Sequence, residues 1–140
     1  MEQVKLPRGI RNCNPLNIRK GAAWQGLADI QSDNSFCVFR SMTYGLRAAH
    51  KLLRNYITGM DGRQKPADTL DAIIRRWAPP TENATQRYID CVSARTGLHP
   101  FQRIHYLDRK VMCDLVCAMA HVECGQDIDR SLVESAYDLL

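Results

Sequence analysis

The sequence predicts one mainly α-helical domain, residues 1–140, with a single small β-hairpin. Apolar residues recur at intervals of three and four through most of the chain, which is the spacing of one face of a helix. Only one stretch has two short extended candidates around a polar turn. The length of 140 residues, with 45% hydrophobic and 24% charged residues, is typical of one globular domain.

Five helices are predicted, each bounded by a capping side chain, a glycine or a proline. They run from Ser41 or Thr43 to about Ile57, from Asp68 or Thr69 to Trp77, from about Ala84 to Thr96, from near Asp108 to Cys124, and as a short helix after Ser131. The last should begin with the capping box Ser131-Leu-Val-Glu134.

The β-hairpin is expected from residues 24–31 and 36–39, on either side of a polar turn at 32–35. Two carboxylates, Asp29 and Asp33, lie on or near that turn. Turns are rich in aspartate for conformational reasons, so neither residue alone indicates a site.

The segment from Arg8 to Arg19 crowds asparagines, a glycine, a proline and arginines into twelve residues. Such a mix suits neither a helix nor a strand, and it predicts an ordered loop without regular structure. Asn14 and Asn17 are candidates for polar substrate recognition there. The alternative is a loop that merely closes the fold.

Charge and cysteine content exclude several classes of protein. The net charge of +4 suits an acidic polymer, but the arginines are scattered and form no basic run of the kind that binds nucleic acid. The six cysteines and four histidines form no zinc pattern and no catalytic triad, so we expect neither a metal nor another cofactor. Cys113 and Cys117, one turn apart, are not expected to pair.

Glu123 is the acidic residue in the least ordinary place. Leu115, Met119 and Glu123 follow at four-residue spacing, so a carboxylate extends an otherwise apolar stripe. Burial disfavours a charge there, and so does the partial negative charge at a helix C-terminus. Both effects favour the protonated form that a general acid for glycosidic cleavage needs. Alternatively, Glu123 faces water at a frayed helix end.

Five motifs occur in order between residues 8 and 125: RGIRNCNPLNIR, WQG, FCVF, GLRA and RWAPPTEN. Together they resemble a family of small lysozyme-like proteins that are common in phages and prophages, often described only as virion or structural proteins. That family typically ends the long helix in His-Glu-Asn-Gly, which His121-Val-Glu-Cys-Gly125 matches with two substitutions. It usually has Asn where Cys13 stands and Gly where Leu16 stands.

A second resemblance is to glucosaminidases of the flagellar and autolysin type. These have a helix ending in a catalytic glutamate, then an Asn-rich loop, a Trp-x-Gly, an aromatic hairpin, a helix and a Tyr-containing segment. The present chain has the same parts with the glutamate helix last, so its order resembles a circular permutation of the lysozyme-like core.

The resemblances imply a lysozyme-like α+β fold and a muramidase that cleaves the glycan strand of peptidoglycan between N-acetylmuramic acid and N-acetylglucosamine. Glu123 would donate a proton to the leaving oxygen. Glu82 in the Pro-Pro-Thr-Glu-Asn loop is the rival, either as a base, as a substrate contact or only as an N-terminal helix charge. Asp29 and Asp33 are further candidates for the second carboxylate, and Asp29 is also expected to contact substrate. Trp24 and Tyr88 are expected either to line a sugar cleft or to belong to the core.

The alternatives are a non-catalytic virion or wall-binding protein of the same fold and a nucleic-acid-binding protein. Hydrolysis and lytic transglycosylation both remain open. The chain has neither a membrane-spanning segment nor a signal peptide, so we expect synthesis in the cytoplasm and action on the cell wall after delivery. The delivery partner would be a holin, the virion or a secretion system, and an immunity protein is a further expected partner.

Overall fold

A computed structural model describes residues 6–60, 65–79 and 84–140, and within these ranges the chain forms six helices. In chain order they are α1 (Arg8–Arg11), α2 (Met42–Thr58), α3 (Leu70–Trp77), α4 (Thr85–Thr96), α5 (Arg109–Cys124) and α6 (Arg130–Tyr137). The predicted mainly α-helical fold class is confirmed. None of the helices in these ranges has the length and apolar character that a membrane span requires.

Three of the predicted helix starts have the expected side-chain caps. Ser41, Thr69 and Asp108 each accept a hydrogen bond from a backbone N–H in the first turn of α2, α3 and α5. Three helices end at glycines in the left-handed region, where a residue without Cβ is least strained: Gly59, Gly97 and Gly125. Local sequence signals therefore set most helix bounds.

The predicted capping box of the last helix is wrong. Asp129 is the N-cap of α6, and its carboxylate accepts hydrogen bonds from the backbone N–H and the hydroxyl of Ser131. Ser131 thus lies inside the first turn. Glu134 accepts from Arg130 instead of reaching back to the helix start, because the ion pair one turn away is available to it.

Helix α5 lies at the centre of the core. It packs against α1, α2, α4 and α6, and α2 packs in turn against α3 and α6. Leu115 and Met119 of α5 are fully buried, as are Leu46 and Leu53 of α2. Each such side chain contributes about 2 kcal/mol by burial. The end of α5 is therefore held firmly in position.

The predicted β-hairpin is only partly present. Within the described residues its two arms form no regular ladder, and single bridges join Leu27 to Phe39 and Arg19 to Phe36. The second bridge pairs the arm at 36–39 with the opening segment, which the sequence did not predict. The amide of Gln31 replaces missing ladder bonds, because it donates to the carbonyls of residues 28 and 38 and accepts from the N–H of Val38.

The opening segment is more regular than predicted, because residues 8–11 form the short helix α1. Arg8 then ties it to the hairpin turn through two hydrogen bonds to the carboxylate of Asp33, at 2.6 and 2.8 Å. Those bonds, with backbone N–H groups of Ser35 and Phe36, hold the pKa of Asp33 well below its usual range. Asp33 is thus a structural anchor of this segment.

His50 is a buried titratable group between α2 and α6, and it gives a testable acid sensitivity. Its Nε2 lies 3.0 Å from the Val133 carbonyl oxygen, its Nδ1 is buried without a hydrogen-bond partner in the described structure, and its ring meets Tyr137 edge-on. Burial, only partly offset by the Val133 carbonyl and Asp138, lowers the pKa of His50 to about 4.

Because the folded state disfavours the charged imidazole, its contribution is complete above pH ~6.5 and is lost as the pH falls towards 4. We expect this group alone to lower the free energy of unfolding by about 3 kcal/mol over that window. Urea unfolding of the parent and of His50→Gln across pH 4–7 tests this. The free energy of unfolding should fall more steeply with decreasing pH in the parent than in the variant. Parallel pH profiles would contradict the assignment.

Candidate functional site

Glu123 stands in the last turn of α5, one residue before the buried Cys124 and two before the left-handed Gly125. The side chain is half-buried and continues the stripe formed by Leu115 and Met119, both fully buried. It therefore occupies the interior-facing position that the spacing predicted, and the alternative of a frayed end facing water does not describe it.

Three donors from three separate parts of the chain converge on the Glu123 carboxyl group. The indole N–H of Trp77, at the end of α3, lies 3.2 Å from Oε1. The hydroxyl of Tyr88 in α4 lies 3.4 Å from the same oxygen. The amide Nδ2 of Asn17 lies 3.4 Å from Oε2. A carboxyl group surrounded in this way has a fixed orientation.

Tyr88 contacts the Glu123 carboxyl group through its hydroxyl. Its ring is buried, and it is not among the residues that line the cleft described next. The expectation that Tyr88 lines a sugar cleft is thereby corrected. Burial, followed by the nearby charge of Glu123, raises the pKa of Tyr88 well above its ordinary value. Its hydroxyl therefore keeps its proton and remains a donor throughout the working pH range.

Glu123 lines a cleft with a volume of about 430 Å³. The walls combine aromatic and polar surface, and the lining residues are Asn17, Ile18, Arg19, Ala22, Trp24, Phe36, Leu52, Tyr56, Trp77, Ala78 and Glu123. Asn17 and Trp24, both singled out from the sequence, are among them. The volume is within the range of ordinary small-molecule sites.

Sequence reasoning missed three aromatic residues of the cleft: Phe36, Tyr56 and Trp77. The sequence indicated no binding role for Tyr56 or Trp77. Their rings meet edge-on, with the ring centroids 6.2 Å apart. Phe36 carries the guanidinium groups of Arg8 and Arg19 against its ring, at 4.6 and 5.3 Å. Trp77 directly precedes the Ala-Pro-Pro stretch, and this position in a motif was the one sequence feature that could have indicated a role in the site.

Two of the other carboxylates proposed from the sequence, Asp29 and Asp33, lie outside the cleft lining. Asp29 is exposed and lies outside the cleft lining, and Asp33 is engaged by Arg8. The expectation that Asp29 contacts substrate is corrected, because its side chain is exposed and is not part of the cleft lining. Glu82 lies in residues 80–83, outside the described residues.

Asn14 also differs from its expected role, because it is fully buried and does not reach the cleft. Its Nδ2 donates to the carbonyls of Ile18 and Cys37, each at 3.0 Å, and its Oδ1 accepts from the N–H of Ile18 at 2.9 Å. It thus clamps the opening loop to the hairpin arm. Asn17, three residues on, has a left-handed φ of 53° and points its amide at Glu123.

We therefore expect the two asparagines to separate stability from function. Asn14→Ala leaves the buried Ile18 N–H and Cys37 carbonyl without the side-chain partner, while the Ile18 carbonyl still accepts from the Cys37 N–H, and should cost about 3 kcal/mol of unfolding free energy. Asn17→Gly suits the left-handed backbone and should leave stability within about 1 kcal/mol, while it removes a group beside Glu123. Urea unfolding and glycan turnover, measured on both variants, test this. Equal stability losses would contradict it.

The cysteines are all free thiols. Cys124 has a structural role beside the site, since its Sγ lies 3.1 Å from the carbonyl oxygen of Pro15 and joins the end of α5 to the opening loop. Burial, with a smaller effect of the adjacent Glu123, raises the pKa of Cys124 to about 11. It therefore stays a neutral thiol.

Fold and site together define a class of protein: a mainly helical domain that holds a glutamate at the end of its central helix inside an aromatic cleft. Among known proteins, the chain is 34% identical over 124 residues to Protein P5 of Pseudoalteromonas phage PM2, a match that covers 86% of this chain and 72% of that protein. The chain belongs to the family of this phage protein. No protein-family model matches it.

Proposed function

We propose that this protein is a lysozyme-like glycosidase that cleaves the glycan strand of peptidoglycan, with Glu123 as the general acid. One observation carries the proposal. The carboxyl group of Glu123 is held by Asn17, Trp77 and Tyr88 at the border between the buried core and an aromatic cleft. A fixed, partly desolvated carboxyl group is the arrangement that proton donation to a glycosidic oxygen requires.

The cleft walls support a carbohydrate ligand. Trp24, Phe36, Tyr56 and Trp77 present aromatic surface, against which the apolar faces of pyranose rings pack. Asn17 and Arg19 add polar groups beside them, which suit the hydroxyl and acetamido groups at the edges of the sugars. The lining therefore combines aromatic faces with polar groups, and this combination suits a sugar ligand.

The proposed reaction is proton transfer coupled to bond cleavage. Glu123 gives its proton to the oxygen between two sugars, the bond from that oxygen to C1 breaks, and its electron pair stays on the leaving oxygen. The cationic centre at C1 then bonds to a water oxygen or to the C6 hydroxyl oxygen of the same sugar. In either case that oxygen loses a proton, which the Glu123 carboxylate or, for water, a second carboxylate accepts. The first outcome gives a reducing end and the second a 1,6-anhydro end.

A second carboxylate would act on the attacking water. Among the residues that line the cleft in the described part of the chain, Glu123 is the only acid. Glu82 remains a candidate for the second role on the grounds of its motif. The bond between N-acetylmuramic acid and N-acetylglucosamine remains the proposed target.

The relation to a phage protein supports a delivery route that belongs to a virus. We place synthesis in the cytoplasm and action at the cell wall after delivery by a holin, the virion or a secretion system, with an immunity protein as a further candidate partner. The same relation favours the second candidate function, a non-catalytic virion protein of this fold. Nucleic-acid binding gains no support, because six arginines of the described chain are in ion pairs with carboxylates: Arg8, Arg75, Arg95, Arg103, Arg109 and Arg130.

The decisive experiment is mass spectrometry of soluble products after incubation of the purified protein with peptidoglycan. Muropeptides with reducing or anhydro ends would support the glycosidase and also distinguish hydrolysis from transglycosylation, since the two ends differ in mass by one water. Binding to peptidoglycan without any soluble product would instead favour the non-catalytic virion protein.

A further inference from the structure

We infer that Trp77 and Tyr88 decide which oxygen of Glu123 carries the catalytic proton: they keep Oε1 unprotonated and leave the proton on Oε2. They are positioning residues, and the inference rests on the proposed function. The sequence predicted only that Trp77 ends a helix and that Tyr88 lies in a sugar cleft or in the core. The structure instead brings both to one atom, Oε1 of Glu123.

Both donors require Oε1 to accept a hydrogen bond. An indole N–H is a donor only, so the Trp77 contact of 3.2 Å requires a lone pair on Oε1. The Tyr88 hydroxyl, which keeps its proton because the ring is buried, directs a second hydrogen to the same oxygen. A proton on Oε1 would point at these hydrogens. The carbonyl-type oxygen of a neutral carboxyl group, by contrast, accepts both.

Oε2 has a different environment. In the described part of the chain it receives one hydrogen bond, from the amide Nδ2 of Asn17 at 3.4 Å, whereas Oε1 receives two. A hydroxyl oxygen accepts weakly and donates well, so this surrounding suits the protonated oxygen. Since Glu123 also lines the cleft, the leaving glycosidic oxygen should lie beside Oε2.

The same two donors act on the product of the step. Once the proton has left, the charge on the carboxylate is shared with Oε1, where two hydrogens already point. Both donors therefore favour the ionised form, and loss of either should delay ionisation to a higher pH. Activity that depends on the protonated acid should then persist to a higher pH.

Other titratable or charged groups lie near the carboxyl group, and all of them except Tyr88 are left in place by the test variants. Arg19 comes from the opening loop, Tyr56 from α2, Tyr88 from α4, and Cys124 is the next residue of α5. The thiol of Cys124 is neutral because burial raises its pKa to about 11. Arg19 and Tyr56 remain unchanged when Trp77 or Tyr88 is replaced.

The test uses Tyr88→Phe and Trp77→Phe in the full chain, both of which keep an aromatic ring and remove one donor. The ¹³C carboxyl signal of Glu123, assigned by its absence in Glu123→Gln, is titrated by NMR. Each variant should move the titration midpoint upward by about half to one pH unit. The high-pH limb of peptidoglycan cleavage should move by the same amount.

Tyr137→Phe is the matched control, because it removes a phenol hydrogen bond to the carbonyl of Tyr106, at 2.8 Å, away from the cleft. It should lower stability and leave the Glu123 midpoint unmoved. If Tyr88→Phe does not fold, Trp77→Phe carries the test by itself.

The outcomes separate the two proposals. A midpoint and a pH profile that stay at the wild-type positions in the folded donor variants overturn the inference about the proton, even if cleavage is normal. A wild-type protein that releases no product from peptidoglycan overturns the proposed function, whatever the titration gives.

Discussion

Glu123→Gln is expected to abolish cleavage of peptidoglycan while the protein still folds and still binds glycan. General acid catalysis typically contributes about 10² to 10⁴ in rate, so the variant should fall below detection in a wall-clearing assay. Glutamine keeps the volume of the side chain, and its carbonyl oxygen accepts from Trp77 and Tyr88 as Oε1 does. What it lacks is a proton to give to the leaving oxygen.

Three measurements make this prediction sharp. Product release by mass spectrometry gives the activity, urea unfolding gives the stability, and a pull-down with insoluble peptidoglycan gives the binding. Glu134→Gln is the matched control, because Glu134 lies on α6 outside the cleft and pairs with Arg130. It should keep normal turnover. The activity of the parent protein should also decline at high pH, as the acid loses its proton.

The opposite result has a definite meaning. If Glu123→Gln keeps near-normal turnover and Glu82→Gln abolishes it, the catalytic acid belongs to the Pro-Pro-Thr-Glu-Asn loop. The resemblance to a permuted glucosaminidase would then have assigned the wrong helix, and the hydrogen bonds around Glu123 would serve only to close the core.

Gly45→Ala is expected to have the largest effect on stability. An alanine Cβ at this position would lie 1.8 Å from the carbonyl oxygen of Cys13 and 2.9 Å from its carbonyl carbon. Both are backbone atoms of the opening loop, so no side chain can rotate away. We expect a loss of about 3 kcal/mol or more, because either α2 or the loop must move.

A loss of stability in Gly45→Ala would identify the contact between α2 and the opening loop as its cause. Gly45 lies inside α2, where alanine normally favours a helix by about 1 kcal/mol over glycine. Any destabilisation must therefore come from the tertiary contact. Gly97→Ala is the control, since Gly97 has a φ of 76° but open space around it, and should cost only about 1 kcal/mol.

Urea unfolding of the two variants gives the comparison. If Gly45→Ala proved as stable as the parent, the close approach of α2 to the opening loop would be refuted. The Gly-Leu-Arg-Ala motif would then need another explanation. If the loss is confirmed, the motif has a physical cause, which is the seating of the opening loop against the first turn of α2.

The sequence by itself determined helices α2 to α5 and the position of Glu123 on its helix. Ser41, Thr69 and Asp108 cap helices where they were predicted to, and Gly59, Gly97 and Gly125 stand where helices end. These signals act within a few residues, so they can be read without knowing the fold. The four-residue spacing of Leu115, Met119 and Glu123 is of the same local kind.

Tertiary structure alone decided what surrounds that glutamate. Its partners Tyr88, Trp77 and Asn17 are 35, 46 and 106 residues away in sequence. Asn14 and Asn17 are alike in sequence context, yet a left-handed turn at Asn17 sends one side chain into the core and the other to the site. Hydrogen bonds between distant segments depend on how the helices pack, and local spacing carries no information about that packing.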